Sequence, residues 1–170
     1  WGPLYLMRAA AGHMRAQGHG RGVNIASIGG KAAVPHLLPY STSKFALVGL
    51  SDGMRSELAK HNITVTTVCP GLMRTGSHFN ALFKGQHRKE FSWFSVIDAL
   101  PISSIDAQRA AHQILEACRR GDAQLVITPQ AKLLALASAL LPELTASGLR
   151  LMNRLLRSII FLMCCRSSKG

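Results

Sequence analysis

Three short runs rich in branched side chains, Val23 to Ile28, Ile63 to Val68 and Ala123 to Thr128, are separated by segments of helical periodicity. This alternation constrains the chain more than any other feature. The first intervening helix is expected over Tyr40 to Lys60, with Phe45, Leu47, Val48, Leu50, Met54 and Leu58 mostly on one side. The second is expected over Ala107 to Arg120, carries Ala111, Ile114, Leu115 and Cys118, and is stopped by Gly121. Trp1 to Gln17 reads as a further helix, with Leu4, Met7, Ala11 and Met14 at helical spacing. Strands that alternate with helices pair in parallel through crossovers, which predicts an α/β fold with all three strand ends at one edge. Open sheets of this kind bind their ligands beyond that edge.

The residues expected there carry chemistry. Ser27 closes the first strand, and Pro70 and Gly71 form a turn that ends the second. Tyr40 opens a helix after a proline-containing loop and is followed four positions later by Lys44. A tyrosine and a lysine at that spacing share a helical face, so the ammonium can favour a phenolate, and the pair becomes a proton-transfer device for a carbonyl or an alcohol. The plain alternative is a surface helix whose lysine extends past a half-buried ring. For Ser27 it is a strand-end serine that satisfies a local backbone group.

Taken together, Asn24-Ile25-Ala26-Ser27 with Gly29, then Tyr40-Ser41-Thr42-Ser43-Lys44, then Val68-Cys69-Pro70-Gly71 with Thr75, resemble the short-chain dehydrogenase/reductase family in its compact single-domain branch. The resemblance covers about the first 130 residues. It implies part of a Rossmann-like, doubly wound parallel sheet, here its three C-terminal strands with flanking helices. It also implies an NAD- or NADP-dependent oxidoreductase that transfers hydride between nicotinamide and a carbonyl or alcohol. Tyr40 would be the general acid/base. Lys44 would lie beside it and bond the nicotinamide ribose, and Ser27 would bond the substrate oxygen. Backbone groups at Pro70, Gly71 and Leu72 would face the carboxamide, with the Thr75 hydroxyl on the carboxamide or a phosphate. The family's glycine-rich pyrophosphate cradle has no counterpart here, because Gly18, Gly20, Gly22, Gly29 and Gly30 flank a strand and read as turn and close-approach glycines. We therefore expect the C-terminal part of a longer protein, a homo-oligomer when complete. Gly22, where a branched residue is usual, should weaken its strand slightly.

Two other classes are compatible with part of the pattern. A sugar-nucleotide epimerase or dehydratase of the extended branch shares the Ser and Tyr-x-x-x-Lys residues but carries an Asn-containing turn in place of Val68-Cys69-Pro70-Gly71. A binding or scaffold protein would keep the fold and lose the triad. Lys31 and His36 lie between Ser27 and Tyr40 among Val34, Pro35, Leu37 and Leu38, which suggests an apolar substrate wall. Gly76 to Ser104, with Phe79, Phe83, Phe91, Trp93 and Phe94, occupies the place of the family's substrate lid.

Composition narrows the setting. The hydrophobic content of 48% can support a core. A net charge of +12 suggests nucleic acid or an anionic membrane, but the basic residues are scattered without a nucleic-acid motif, so no nucleic acid is expected. Cys69, Cys118, Cys164 and Cys165 have no zinc-like spacing and the histidines no ligand pattern, so neither a metal site nor a disulfide framework is expected, and a cytoplasmic setting is favoured. After Pro129 the composition changes, and residues 131–170 read as a helical extension to the catalytic part at 1–130. A short helix is expected over Leu133 to Leu141 and a longer one over Thr145 to Cys165, where Arg150, Arg154 and Arg157 share a face. Neither apolar run reaches the roughly 20 residues of a spanning helix. Residues 145–165 are expected to lie on a membrane surface or to pack against the rest of the protein or a partner subunit.

Overall fold

A computed structural model describes residues 1–35, 37–74 and 104–167. Helix α1 (Gly2–Gln17) leads into strand β1 (Gly20–Ile25), a 3-10 turn (Ile28–Gly30) and helix α2 (Leu38–Leu58). After a second 3-10 turn (Ala59–His61) come β2 (Ile63–Pro70), β3 (Leu72–Arg74), β4 (Ser104–Asp106) and α3 (Ala107–Arg120). The chain continues through β5 (Gln124–Ile127), α4 (Pro129–Leu140) and α5 (Pro142–Ser167). The main sheet has the order β1-β2-β5 with both pairings parallel, as the alternation predicts.

Local chemistry sets the boundaries. α1 and α3 each end on a glycine in the left-handed region, Gly18 at φ 77° and Gly121 at φ 73°, which costs glycine nothing. The Asp106 carboxylate caps α3 by accepting from the N–H groups of Gln108 and Arg109. β1 starts earlier than its branched run suggests and stops at Ile25, so Ser27 lies past the strand. Gly22 is accommodated rather than tolerated, because a Cβ there would stand 2.9 Å from the Met7 methyl carbon. The glycine lets α1 sit low on the strand. β2 runs on to Pro70, which pairs in register with Ile127 even though it lacks an N–H. The parallel pair β3–β4 was not legible in the sequence; it sets Leu72 beside Ser104, next to the ends of residues 75–103.

β2 is the centre of the fold, buried from Val65 to Pro70. Its side chains alternate between two layers. Ile63 and Val65 pack with Met7, Ala11 and Leu58 under α1 and α2, and Cys69 packs with Ala26 and Val48 under α2. Val68 faces the other way, against Ala110 of α3 and Ile127. Helices therefore cover both faces, as in a doubly wound sheet. The C-terminal helices are longer than their apolar runs suggest, since Pro129 and Pro142 each occupy a first turn where no N–H partner is needed. Among the described residues no helix is long and apolar enough to cross a membrane.

β5 begins only opposite Thr67, which leaves backbone carbonyls without a strand partner where β2 enters the sheet. Arg55 of α2 fills this place, donating to Val65 O at 2.8 Å, Gly121 O at 2.9 Å and Asp122 O at 3.3 Å. Removing a donor from partly buried acceptors costs their desolvation, so Arg55→Leu should lower stability by roughly 1–3 kcal/mol. Arg119→Ala, which deletes an exposed i,i+3 ion pair with Glu116, should change it by less than about 0.5 kcal/mol. Urea unfolding of the two variants measures the contrast, and equal losses would contradict it.

Candidate active site

The parallel order brings the ends of β1, β2 and β5 to one edge, where Ser27, Gly71 and Thr128 follow them. Ser27 caps the 3-10 turn, its Oγ accepting the Gly29 N–H at 3.1 Å. This is the local bond expected of a strand-end serine, and it leaves the hydroxyl proton available for donation. Tyr40 stands in the first turn of α2. A Cβ on Gly29 would lie 3.1 Å from Tyr40 Cε1 and 3.6 Å from Ser27 Oγ, so ring and hydroxyl border the same small space. A Cβ on Gly30 would lie 2.7 Å from the Lys44 carbonyl oxygen. The Gly29-Gly30 pair is thus a seat on which α2 rests at the level of Tyr40 and Lys44: a side chain on Gly30 would have to move the helix backbone, and one on Gly29 would have to shift the Tyr40 ring.

Lys44 shares the Tyr40 face. Its Nζ lies 5.6 Å from the ring centroid and donates to Ile25 O at 3.3 Å, at the end of β1. Burial pushes its pKa down, and the neighbouring Cys69 opposes this in part. Tyr40 remains 43% exposed, so its hydroxyl can meet a ligand. α2 is further tied to β1 by Asn24 Nδ2, which donates to Ser51 Oγ at 2.8 Å, while Ser51 in turn donates to Leu47 O. Ser41, one residue after Tyr40, is buried with its Oγ unpartnered.

At the second strand end Gly71 also approaches the protein closely: a Cβ there would lie 2.5 Å from Thr128 Oγ1. Its N–H donates to Ile127 O at 3.1 Å, so the Pro70-Gly71 turn is stitched to the end of β5. Leu72 opens β3. His36, Thr75 and Gly76 to Ser103, with the aromatic residues of the expected Gly76 to Ser104 segment, lie outside the described residues. Among the described residues no group of three metal-ligating side chains occurs.

Cys69 drew no attention in the sequence beyond its place in the motif, yet it lies under the site. Burial pushes its thiol pKa up, offset in part by the Lys31 ammonium, the Ser27 N–H and the Gln124 amide, with Asp52 adding to the rise. A raised pKa keeps the reactive thiolate scarce near neutrality, and full burial denies access to reagent. At pH 8 Cys69 should therefore resist iodoacetamide while the partly exposed Cys118 is alkylated. Peptide mass spectrometry of native protein tests this, and comparable labelling of both would refute it.

Sequence comparison places these residues among known proteins. The short chain dehydrogenase family matches residues 1–82. A dehydrogenase/reductase SDR family protein 7-like of Anopheles gambiae is 34% identical over 129 residues, covering 76% of this chain and 39% of that protein. The granaticin polyketide synthase putative ketoacyl reductase 1 of Streptomyces violaceoruber is 52% identical over 65 residues, covering 38% of this chain and 24% of that protein. The chain thus spans less than half the length of these curated relatives. The crystal structure of a short chain dehydrogenase from Burkholderia cenocepacia, in complex with NADP, superposes with a TM-score of 0.68 at 24% identity, covering 87% of this chain and 54% of that one. At that identity the likeness is one of fold.

Proposed function

Since the chain belongs to the short chain dehydrogenase family, we propose that the whole protein is an NAD(P)-dependent oxidoreductase acting on a carbonyl or alcohol. The observation that carries this reading is the Tyr40 ring and the Ser27 hydroxyl bordering Gly29, with the Lys44 ammonium 5.6 Å from the ring centroid, at the C-terminal edge of a parallel sheet. An extended-branch epimerase fits less well, because the Val68-Cys69-Pro70-Gly71 turn replaces that branch's Asn-containing one.

The donor set suits the nicotinamide end of the cofactor. Lys44 commits one N–H to Ile25 O and has others for a ribose hydroxyl, while Pro70, Gly71 and Leu72 are assigned to the carboxamide side and Thr75 to the carboxamide or a phosphate. When bound, the nicotinamide supplies or accepts the hydride. In reduction Tyr40 gives its phenolic proton to the oxygen of the forming alcohol, and in oxidation its phenolate takes that proton back. Ser27 donates its free hydroxyl proton to the same oxygen and stabilises charge as it develops. Lys44 holds positive charge beside the ring. The ketoacyl reductase relative and the apolar residues around Lys31 point to a carbonyl on an apolar chain.

Tyr40→Phe in the full-length protein should lower kcat for carbonyl reduction by at least about 100-fold, the low end of what a positioned acid contributes. Dinucleotide affinity should change little, whereas Lys44→Ala should weaken both turnover and dinucleotide binding. Steady-state kinetics with isothermal titration of NADH and NADPH measures both, and near-normal kcat in Tyr40→Phe would overturn the assignment.

Residues 1–130 would be the catalytic part and 131–170 an extension that lets a cytoplasmic protein rest on a membrane. Leu133, Leu136 and Leu140 of α4 and Leu144 and Leu151 of α5 are exposed, and Arg150 and Arg154 lie along α5. Apolar and basic residues together suit an anionic interface. On α2 the small residues Ala46, Gly49 and Gly53 form an exposed stripe at helical spacing, and this supports a homo-oligomer packed helix to helix. The full-length protein should sediment with anionic vesicles at low salt and be released by added salt or by the change of Arg150, Arg154 and Arg157 to Gln, each basic residue contributing about 1 kcal/mol. No binding to such vesicles would leave α5 as a packed helix.

A further inference from the structure

We propose that α4 is a brace between the two walls of the site, and that Ser138 is a positioning residue for its carbonyl-binding side. The two ends of the helix meet opposite walls. At its start Thr128 caps α4, its Oγ1 facing the Ala131 N–H, and the same oxygen stands where a Gly71 side chain would be. Ala131 is buried beside it. Thr128 holds φ 80°, an outlier for a β-branched residue. Such a conformation persists only where the surroundings over-determine it, and here the cap and the Gly71 contact act on Thr128 while its neighbour Ile127 is held by the β5 pairing.

Near the other end of α4, Ser138 Oγ donates to Lys31 O at 3.0 Å, linking positions far apart in the sequence. Lys31 closes the 3-10 turn, its own N–H bonded to Ile28 O at 2.9 Å. That turn carries Ser27 as its cap and supplies the Gly29-Gly30 seat of Tyr40 and Lys44. The Ser138 bond therefore fixes the far end of the segment whose near end presents the Ser27 hydroxyl. A small shift of that hydroxyl away from the reacting oxygen is costly, because orientation is part of what such a site provides.

The assignment of the two walls to two ligands rests on the oxidoreductase reading; the brace itself does not. In full-length protein, Ser138→Ala should raise KM for the carbonyl substrate roughly three- to ten-fold, the worth of one neutral hydrogen bond. The dissociation constants of NADH and NADPH should stay within two-fold. Amide hydrogen exchange should quicken in residues 28–35 and remain unchanged in β2. Ser138→Thr, which retains the hydroxyl, should restore both KM and exchange. Thr128→Gly should do the reverse, weakening dinucleotide binding with little effect on carbonyl KM. Unchanged exchange at 28–35 in Ser138→Ala would overturn the brace. So would quickening spread over the whole sheet, which marks a role in folding alone. Exchange decides the brace even if the wild-type protein shows no turnover, a result that would sink the oxidoreductase reading instead.

Discussion

The approach of α2 to the Gly29-Gly30 backbone is the contact on which the rest of the site depends. Helix and turn touch at the level of the Lys44 carbonyl, closer than any side chain on Gly30 would permit. That proximity is what lets the Lys44 ammonium reach from the helix to the end of β1 and a tyrosine ring border the serine hydroxyl. The buried Asn24–Ser51 bond works in the same direction about two turns further along, pinning helix to strand with a polar link that has no water to compete for it. Backbone packing, rather than attraction among the reactive groups, sets their relative positions.

The charges follow from this geometry. Lys44 lies where burial works against its proton, and Cys69 beneath it lies where burial works for one. The two groups are neighbours with opposite responses to the same dry environment. Among the described residues the ammonium meets a carbonyl oxygen and the face of an aromatic ring.

Much of this was legible in the sequence because it rests on period and punctuation. Branched runs gave the three strands, amphipathic spacing gave α2 and α3, and Gly121 and Pro129 marked their limits. Tyr40 and Lys44 were recognisable because a four-residue spacing on a helix guarantees a shared face. What escaped depends on contacts between segments distant in the chain. Nothing in the neighbourhood of Ser138 signals a bond to Lys31, and nothing around Arg55 signals three carbonyl acceptors beside β2. Gly71 was noticed for the right reason, close approach, but only the tertiary arrangement shows that its neighbour is Thr128. The β3–β4 ladder is three residues on each side, too short to carry a period.

The sheet order has a consequence for the order of events during synthesis. β2 is made long before β5, and its buried edge from Thr67 to Pro70 can be completed only by residues 124–127. Until the ribosome has released that stretch, the nascent chain holds an apolar strand with one side unsatisfied, and the turn at Gly71 has no carbonyl to close upon. Parallel pairing across so much intervening chain is slow, because loop closure must precede any contact that rewards it. The first turn of α2, which carries Tyr40, can therefore settle early against β1, while the opposite wall of the same edge waits for β5.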